Sequence, residues 1–367
     1  MTESSPRVFA LITGGGTGGH VYPALALAQA LVARGHAPEE LQFVGARRGL
    51  EATVVPEAGF AIELLPGRGL QRRISWENVR TARDTAAAVN QAVRIVRRLR
   101  PRVVVGVGGY ASFPCILAAR LLRVPIVVHE QNAAPGVVNR LAARLGARVA
   151  VSLPGTPLPD AVVTGNPIRA EIAAVERVPE LAPRALFVAI GGSLGARTIN
   201  DTALGLYERW RHRTDIAIHH VCGPRNLDDC STRLERIRRP TDALSYQLVG
   251  YESDIAGLYA RAALLLGRSG AVTVAELASA GVPSILVPLP GAPGDHQGAN
   301  ARALVAAGAA ILEPDADCTP DAVAAIVDGL LADPVRLAAM GAAARTLARP
   351  DAADRLADLV EEMADVA

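Results

Sequence analysis

The residues best suited to chemistry stand in one short loop, Gly14-Gly15-Gly16-Thr17-Gly18-Gly19-His20, directly after the apolar run Val8 to Thr13. Consecutive glycines let backbone N–H groups approach an anion closely, and a helix starting at such a loop adds the positive end of its dipole. The chemistry implied is phosphate binding. Gly14, Gly16 and Gly19 also fit the GxGxxG spacing of dinucleotide sites, so an oxidoreductase stays open at this point. Such an enzyme needs an acid at the end of its second strand, whereas Leu41 to Val44 runs into Gly45, Ala46 and Arg47. A second loop, Gly106-Val107-Gly108-Gly109-Tyr110, follows Val103 to Val105, and a third, Gly191-Gly192-Ser193-Leu194-Gly195, follows Ala185 to Ile190. One such loop is accounted for by a tight turn; three favour phosphates.

His20 ends the first loop, where a helix amino terminus disfavours added positive charge and leaves a neutral imidazole able to accept a proton. His129-Glu130-Gln131-Asn132 closes another strand and is expected to line the same cleft; it lacks the second His of a zinc-protease HExxH. His219 and His220 are adjacent on a strand, so they point to opposite faces and cannot chelate together. Asp315-Ala316-Asp317 resembles a metal-binding acid pair, but Thr319-Pro320 behind it reads as a helix cap and first turn. No metal site follows.

Composition narrows the function further. All 38 basic residues are Arg, which excludes a Schiff-base or phosphate-binding Lys. Residues 1–165 carry 19 Arg against 10 acids and the remainder 19 against 26, so a basic half able to attract anionic surfaces is hidden in a net charge of +2. Cys115, Cys222, Cys230 and Cys318 are scattered, as expected for buried free thiols in a reducing compartment. The polar start suggests no signal peptide, and the uncharged run Val103 to Ala119 is too short and too broken by glycines and Pro114 to span a membrane.

The elements that must position these loops repeat. Apolar strands are expected at Val8–Thr13, Leu41–Val44, Ala61–Leu64, Val103–Val107, Ile126–His129 and Arg148–Val151, and again at Ala185–Ile190, Ile216–Cys222, Leu244–Gly250, Leu264–Gly267 and Ser284–Val287, mostly separated by helices. The helices after the first and third glycine loops are expected over Pro23 to Arg34 and Ala196 to Arg211. The fold class is therefore α/β, with two Rossmann-like parallel-sheet domains, 1–165 and 166–350, hinged near Gly165-Asn166-Pro167 and Glu176 to Pro183. An amphipathic helix over about 351–367 has no strand after it and is free to pack back on the first domain. Ligands in such sheets bind beyond the carboxyl ends of the strands, which points to a cleft between domains.

Seven ordered motifs carry a family resemblance: GGGTGGH at Gly14 to His20, GVGGYAS at Gly106 to Ser112, HEQN at His129 to Asn132, GNPIR at Gly165 to Arg169, GGSLGARTIN at Gly191 to Asn200, RSGAVTVAE at Arg268 to Glu276 and DHQGANA at Asp295 to Ala301. Over nearly its whole length the chain resembles the MurG family of glycosyltransferase family 28, which adds N-acetylglucosamine to the lipid-linked muramyl-pentapeptide precursor of peptidoglycan. The resemblance implies the GT-B fold, an acceptor-binding first domain and a donor-binding second one. It implies that Gly14, Gly15, Gly16, Gly108, Gly109 and Tyr110 hold the acceptor diphosphate, and that Ser193 and Arg169 hold the donor diphosphate. Ala271, Val272, Thr273, Val274, Ala275 and Glu276 would meet nucleotide and ribose, and Gln297 and Asn200 the donor sugar or phosphates. Thr17, Gly18, Gly19 and Asn132 would complete the donor site. Leu194 stands where the family commonly has a polar residue, and Glu252 where an apolar one often flanks the uracil.

The implied reaction is inverting attack by the acceptor C4 hydroxyl on UDP-N-acetylglucosamine, with His20 as general base and no metal or other cofactor. The implied partners are UDP-N-acetylglucosamine, undecaprenyl-diphosphate-MurNAc-pentapeptide (lipid I), an anionic membrane surface and proteins of cell-wall synthesis and division, without nucleic acid. The enzyme would sit as a peripheral protein on the cytoplasmic face of the cell membrane. Arg68, Arg72, Arg73, Ile74, Trp76, Arg80 and Arg83 combine charge and apolar anchor for such docking. Other GT-B transferases, a UDP-N-acetylglucosamine epimerase, a dinucleotide oxidoreductase and a silent nucleotide-sugar-binding protein remain as alternatives.

Overall fold

The computed structural model describes residues 8–47, 49–65, 77–192 and 194–366, with backbone alone over 77–84. Arg68, Arg72, Arg73, Ile74, Trp76 and Ser193 lie outside the described residues, as do the side chains of Arg80 and Arg83. The chain forms two compact units, Met1–Arg169 with Arg349–Ala367, and Ala170–Ala348.

In the first unit, β1 (Ala10–Thr13), β2 (Leu41–Ala46), β3 (Ala61–Leu65), β4 (Val103–Gly106), β5 (Ile126–Glu130), β6 (Arg148–Val151) and β7 (Val162–Val163) form one sheet. The order is β3-β2-β1-β4-β5-β6-β7, and every pairing is parallel. The strands are apolar runs because both faces are covered. Ala10, Ile12, Val103 and Val105 enter one core, while Leu11, Val104 and Val128 enter the other, as a period of two requires.

The second unit repeats this with β8 (Ala185–Ile190), β9 (Ile216–Val221), β10 (Ser245–Val249), β11 (Leu264–Gly267), β12 (Ser284–Leu286) and β13 (Ala310–Leu312). Their order, β10-β9-β8-β11-β12-β13, is again all parallel. The edge strands β7 and β13 were not anticipated from the sequence; with two and three residues they are too short to show a period.

In each sheet the order reverses beside the first strand, so the chain leaves β1 and β4 on opposite sides, and likewise β8 and β11. A crevice at the carboxyl ends of those strands is where such sheets take ligands. The glycine loops sit there, Gly14–Gly16 after β1 and Gly108–Gly109 after β4 in one unit, and Gly191–Gly195 after β8 in the other.

The carboxy-terminal helix Ala352–Asp365 packs against Gly18–Ala33 and buries Leu356, Leu359 and Val360 in the first core. At about 1.5–3 kcal/mol for each such side chain, this burial outweighs the helix's ion pairs, each worth about 0–1 kcal/mol at the surface. Those pairs join Arg34 to Asp358 and Glu361 at 2.5 and 2.7 Å, and Arg102 to Asp365 at 2.9 Å. An acidic helix thus settles on the basic half.

Candidate active site

The first helix begins at Gly18, five residues before the expected start at Pro23, so His20 stands in its first turn. Thr17 is the extended residue before the helix and makes no side-chain cap, and the N–H groups of Gly18 and Gly19 have no partner inside the helix. The N–H of Gly16 is instead donated to the Glu51 carboxyl at 2.8 Å, and the same carboxyl accepts the Ala46 N–H at 2.9 Å.

Glu51 was not singled out in the sequence. It is 2% exposed, and its side chain occupies the space that a Cβ at Gly15, Gly45 or Gly49 would fill. Gly14 is excluded from carrying a Cβ by Val107, and Gly109, at φ +78°, by the Gly15 carbonyl oxygen 2.5 Å away. These five glycines therefore serve close packing around Glu51 and between loops. Gly16, at φ +93°, has nothing within 4 Å of a Cβ position among the described residues.

The His20 ring packs against the second loop, its Cε1 and Cδ2 each 3.1 Å from where a Cβ would stand at Gly108 and Gly109 respectively. Its Nδ1 is 3.1 Å from Gln131 Oε1. Gln131 is buried, and its amide nitrogen donates to the Val107 carbonyl at 2.9 Å, to His129 Nδ1 at 3.0 Å and to the His129 carbonyl at 3.2 Å. Tyr110, the residue after Gly109, is half-buried. Glu130, also buried, accepts the backbone and side-chain N–H of Asn132, the Gly136 N–H and the Asn139 amide, and so fixes the loop that carries Asn132.

His129 does not line a cleft, contrary to the sequence reading. It is fully buried, with Nε2–H donating to the Gly165 carbonyl at 2.8 Å. Burial, partly offset by that carbonyl, pulls its pKa down to about 4. His220, wholly buried between Asn200 and Tyr246, is held to about 3 by burial. Both take up protons near pH 6.5 once unfolded, so their contribution to stability is complete above that pH and is lost as pH falls towards 4. For His129 the loss is on the order of 3 kcal/mol. The unfolding midpoint is expected to fall on acidification from pH 7 to 4, with a shallower fall in His129→Gln; an equal fall would exonerate His129.

Arg169 belongs by its contacts to the first unit, although the sequence reading grouped it with the donor half. Its guanidinium stands 5.6 Å from the centre of the Tyr22 ring, beside the start of the first helix. The unit boundary accordingly falls after Arg169 rather than after residue 165.

In the second unit, Gly191 and Gly195 are needed for packing, because a Cβ would overlap Ala196 and the Cys222 carbonyl respectively. Gly192, at φ +85°, has nothing within 4 Å of a Cβ position among the described residues. Ala271–Ala280 is the helix after β11, and its first turns carry Ala271, Val272, Thr273 and Ala275 partly exposed. Val274 is buried in the core. Glu276 is largely buried and accepts the Tyr259 hydroxyl at 3.2 Å.

Three residues expected at the donor site have internal partners. Asn200 is 3% exposed and bridges His220 and the Cys222 carbonyl, a structural role that its polar side chain did not betray. Glu252 pairs with His219 at 3.0 Å and accepts the Asp254 N–H. Gln297 Oε1 accepts the Leu289 N–H at 3.0 Å. Asp315 is taken by Arg268 at 2.5 Å and by Thr198, in keeping with its reading as a loop residue.

Residues 10–151 match the glycosyltransferase family 28 N-terminal domain, and residues 186–356 the glycosyltransferase family 28 C-terminal domain. A Halorhodospira halophila protein named UDP-N-acetylglucosamine--N-acetylmuramyl-(pentapeptide) pyrophosphoryl-undecaprenol N-acetylglucosamine transferase is 44% identical, over 96% of this chain and 98% of its own. A Desulforudis audaxviator protein of the same name is 38% identical over the same shares. Among solved structures, Acinetobacter baumannii MurG superposes with a TM-score of 0.77 at 29% identity, covering 96% of this chain and 99% of that one.

Proposed function

Because the chain belongs to glycosyltransferase family 28, with relatives of one activity matching nearly its full length, we infer that it moves N-acetylglucosamine from UDP-N-acetylglucosamine to pyrophosphoryl-undecaprenol-linked N-acetylmuramyl-pentapeptide, giving lipid II for peptidoglycan. The observation that carries this reading to the residues is His20, in the first turn of a helix whose opening N–H groups, those of Gly18 and Gly19, the helix itself does not use. A diphosphate placed at that turn gains from the helix dipole and from Arg169 beside Tyr22. The hydroxyl of a sugar attached to it comes within reach of an imidazole.

The proposed step is a single displacement with inversion. The acceptor C4 oxygen forms the new bond to the anomeric carbon, His20 takes the hydroxyl proton, and the bond to UDP breaks with its electron pair leaving on the diphosphate. Backbone donors and Arg supply the electrostatics in this scheme, so no metal or other cofactor is invoked. The donor is assigned to the second unit, at Gly192 and the exposed start of Ala271–Ala280, because these lie at that sheet's reversal point with space in front of them.

A lipid-linked acceptor places the enzyme at the membrane, and we assign it to the cytoplasmic face as a peripheral protein. No helix among the described residues is long and apolar enough to cross a bilayer. The first unit exposes Leu121, Val137 and Leu141 at 63%, 72% and 36% on two neighbouring helices, among the exposed Arg120, Arg123, Arg140 and Arg144. Apolar anchors ringed by arginine suit an anionic surface, and proteins of wall synthesis and division would meet the enzyme there. The function is tested by UDP release from UDP-N-acetylglucosamine with and without a short-chain lipid-linked acceptor. Release should depend on the acceptor; equal release without it would indicate hydrolysis or epimerisation.

A further inference from the structure

We propose that Gln131, locked by His129, is the positioning residue that holds His20 as its Nδ1–H tautomer and so directs the proton-accepting lone pair of Nε2 at the acceptor hydroxyl. The proposal rests on the reading of His20 as the base and adds to it how the base is set.

The assignment starts from carbonyls, which only accept. The Gly165 carbonyl, 2.8 Å from His129 Nε2, requires a proton on that nitrogen. His129 is neutral because of its burial, so its Nδ1 is an acceptor. The Gln131 amide nitrogen faces that acceptor and the carbonyls of Val107 and His129, and the reverse orientation would set its oxygen against both carbonyls. Its Oε1 therefore faces His20 Nδ1 at 3.1 Å and requires a proton there. Backbone carbonyls of Gly165, Val107 and His129 fix the directions of the chain of hydrogen bonds that runs through His129 and Gln131 to His20, and the result is opposite to the Nε2–H form that an unrestrained histidine prefers.

A neutral amide suits this place better than a carboxylate. It accepts from Nδ1–H and stabilises the imidazolium as Nε2 is protonated, without placing negative charge beside an acceptor that carries a diphosphate. The two functions separate on mutation. Gln131→Met removes the acceptor from Nδ1 and frees the tautomer. Gln131→Glu keeps an oxygen there but adds charge.

The test is the ¹⁵N spectrum of histidine-labelled, ligand-free enzyme, with His20 assigned by its loss in His20→Ala, combined with steady-state kinetics. Wild-type His20 should show a protonated Nδ1 and an unprotonated Nε2. Gln131→Met should shift His20 towards Nε2–H and lower kcat about 10–100-fold with KM for both substrates nearly unchanged. Gln131→Glu should retain the tautomer and most of kcat while raising KM for the lipid-linked acceptor. A wild-type His20 in the Nε2–H form overturns the proposal even if neither variant folds. Equal damage to kcat and KM in both variants overturns it too, by reducing Gln131 to a packing role. Full turnover in His20→Ala would instead remove the base reading itself, a result separable from the tautomer measurement.

Discussion

His20→Ala is expected to lower kcat by about 10²–10⁴-fold, the usual worth of a positioned general base, while UDP affinity stays within a few-fold of wild type. The ring packs against Gly108 and Gly109 and bonds to Gln131, all in the first unit, whereas the nucleotide is assigned to the second. Removing the imidazole leaves a partly exposed gap at the start of a helix rather than a hole in the core, so folding should survive. Kinetics with both substrates saturating, beside calorimetric titration with UDP, checks both halves of the expectation. A variant with wild-type kcat would take His20 out of the chemistry.

The second large effect separates two kinds of glycine in the loop after β8. Gly195→Ala puts a Cβ into the Cys222 carbonyl oxygen at φ +76°, where neither backbone can yield cheaply. Dihedral strain and overpacking together should cost about 3 kcal/mol or more and abolish UDP binding with the loop's shape. Gly192→Ala, at φ +85° with nothing within 4 Å among the described residues, should cost only about 1–2 kcal/mol. Its methyl instead projects into the space assigned to the donor, so UDP affinity should fall at least about tenfold in a folded protein. Thermal unfolding and UDP titration of the two variants give opposite orderings of damage. Equal loss of stability in both would contradict the division.

Much of the architecture was legible because parallel strands buried on both faces are continuous runs of Val, Ile and Leu, and Ala185–Ile190, Leu264–Gly267 and Arg148–Val151 begin and end where the sequence places them. The first helix was read late because Pro23 looks like a first-turn residue, whereas two glycines of poor helix propensity precede it in the helix. At the site, the glycine loops and His20 announce themselves by residue type. Glu51 does not, since its partner Gly16 is 35 residues away and only the fold brings a carboxyl between four glycines. His129 and Asn200 have the polar character of ligand-binding residues, and burial among internal partners gives each a structural role that no local pattern distinguishes; the partly exposed Glu252 is paired with His219. One signal was available for Gln131: HEQN sets four polar side chains in a row where an apolar strand ends, and the three that are buried, His129, Glu130 and Gln131, have to find partners inside.

The central claim is transfer of N-acetylglucosamine to a lipid-linked muramyl-pentapeptide. It is tested most directly by incubating the pure chain with isotope-labelled UDP-N-acetylglucosamine and a short-chain lipid-linked acceptor, then reading the linkage of the labelled sugar by NMR. The expected product is a disaccharide in which labelled N-acetylglucosamine is β-linked to C4 of the muramyl residue. Label recovered only as free sugar, as an epimerised nucleotide sugar, or in an α linkage would contradict the account.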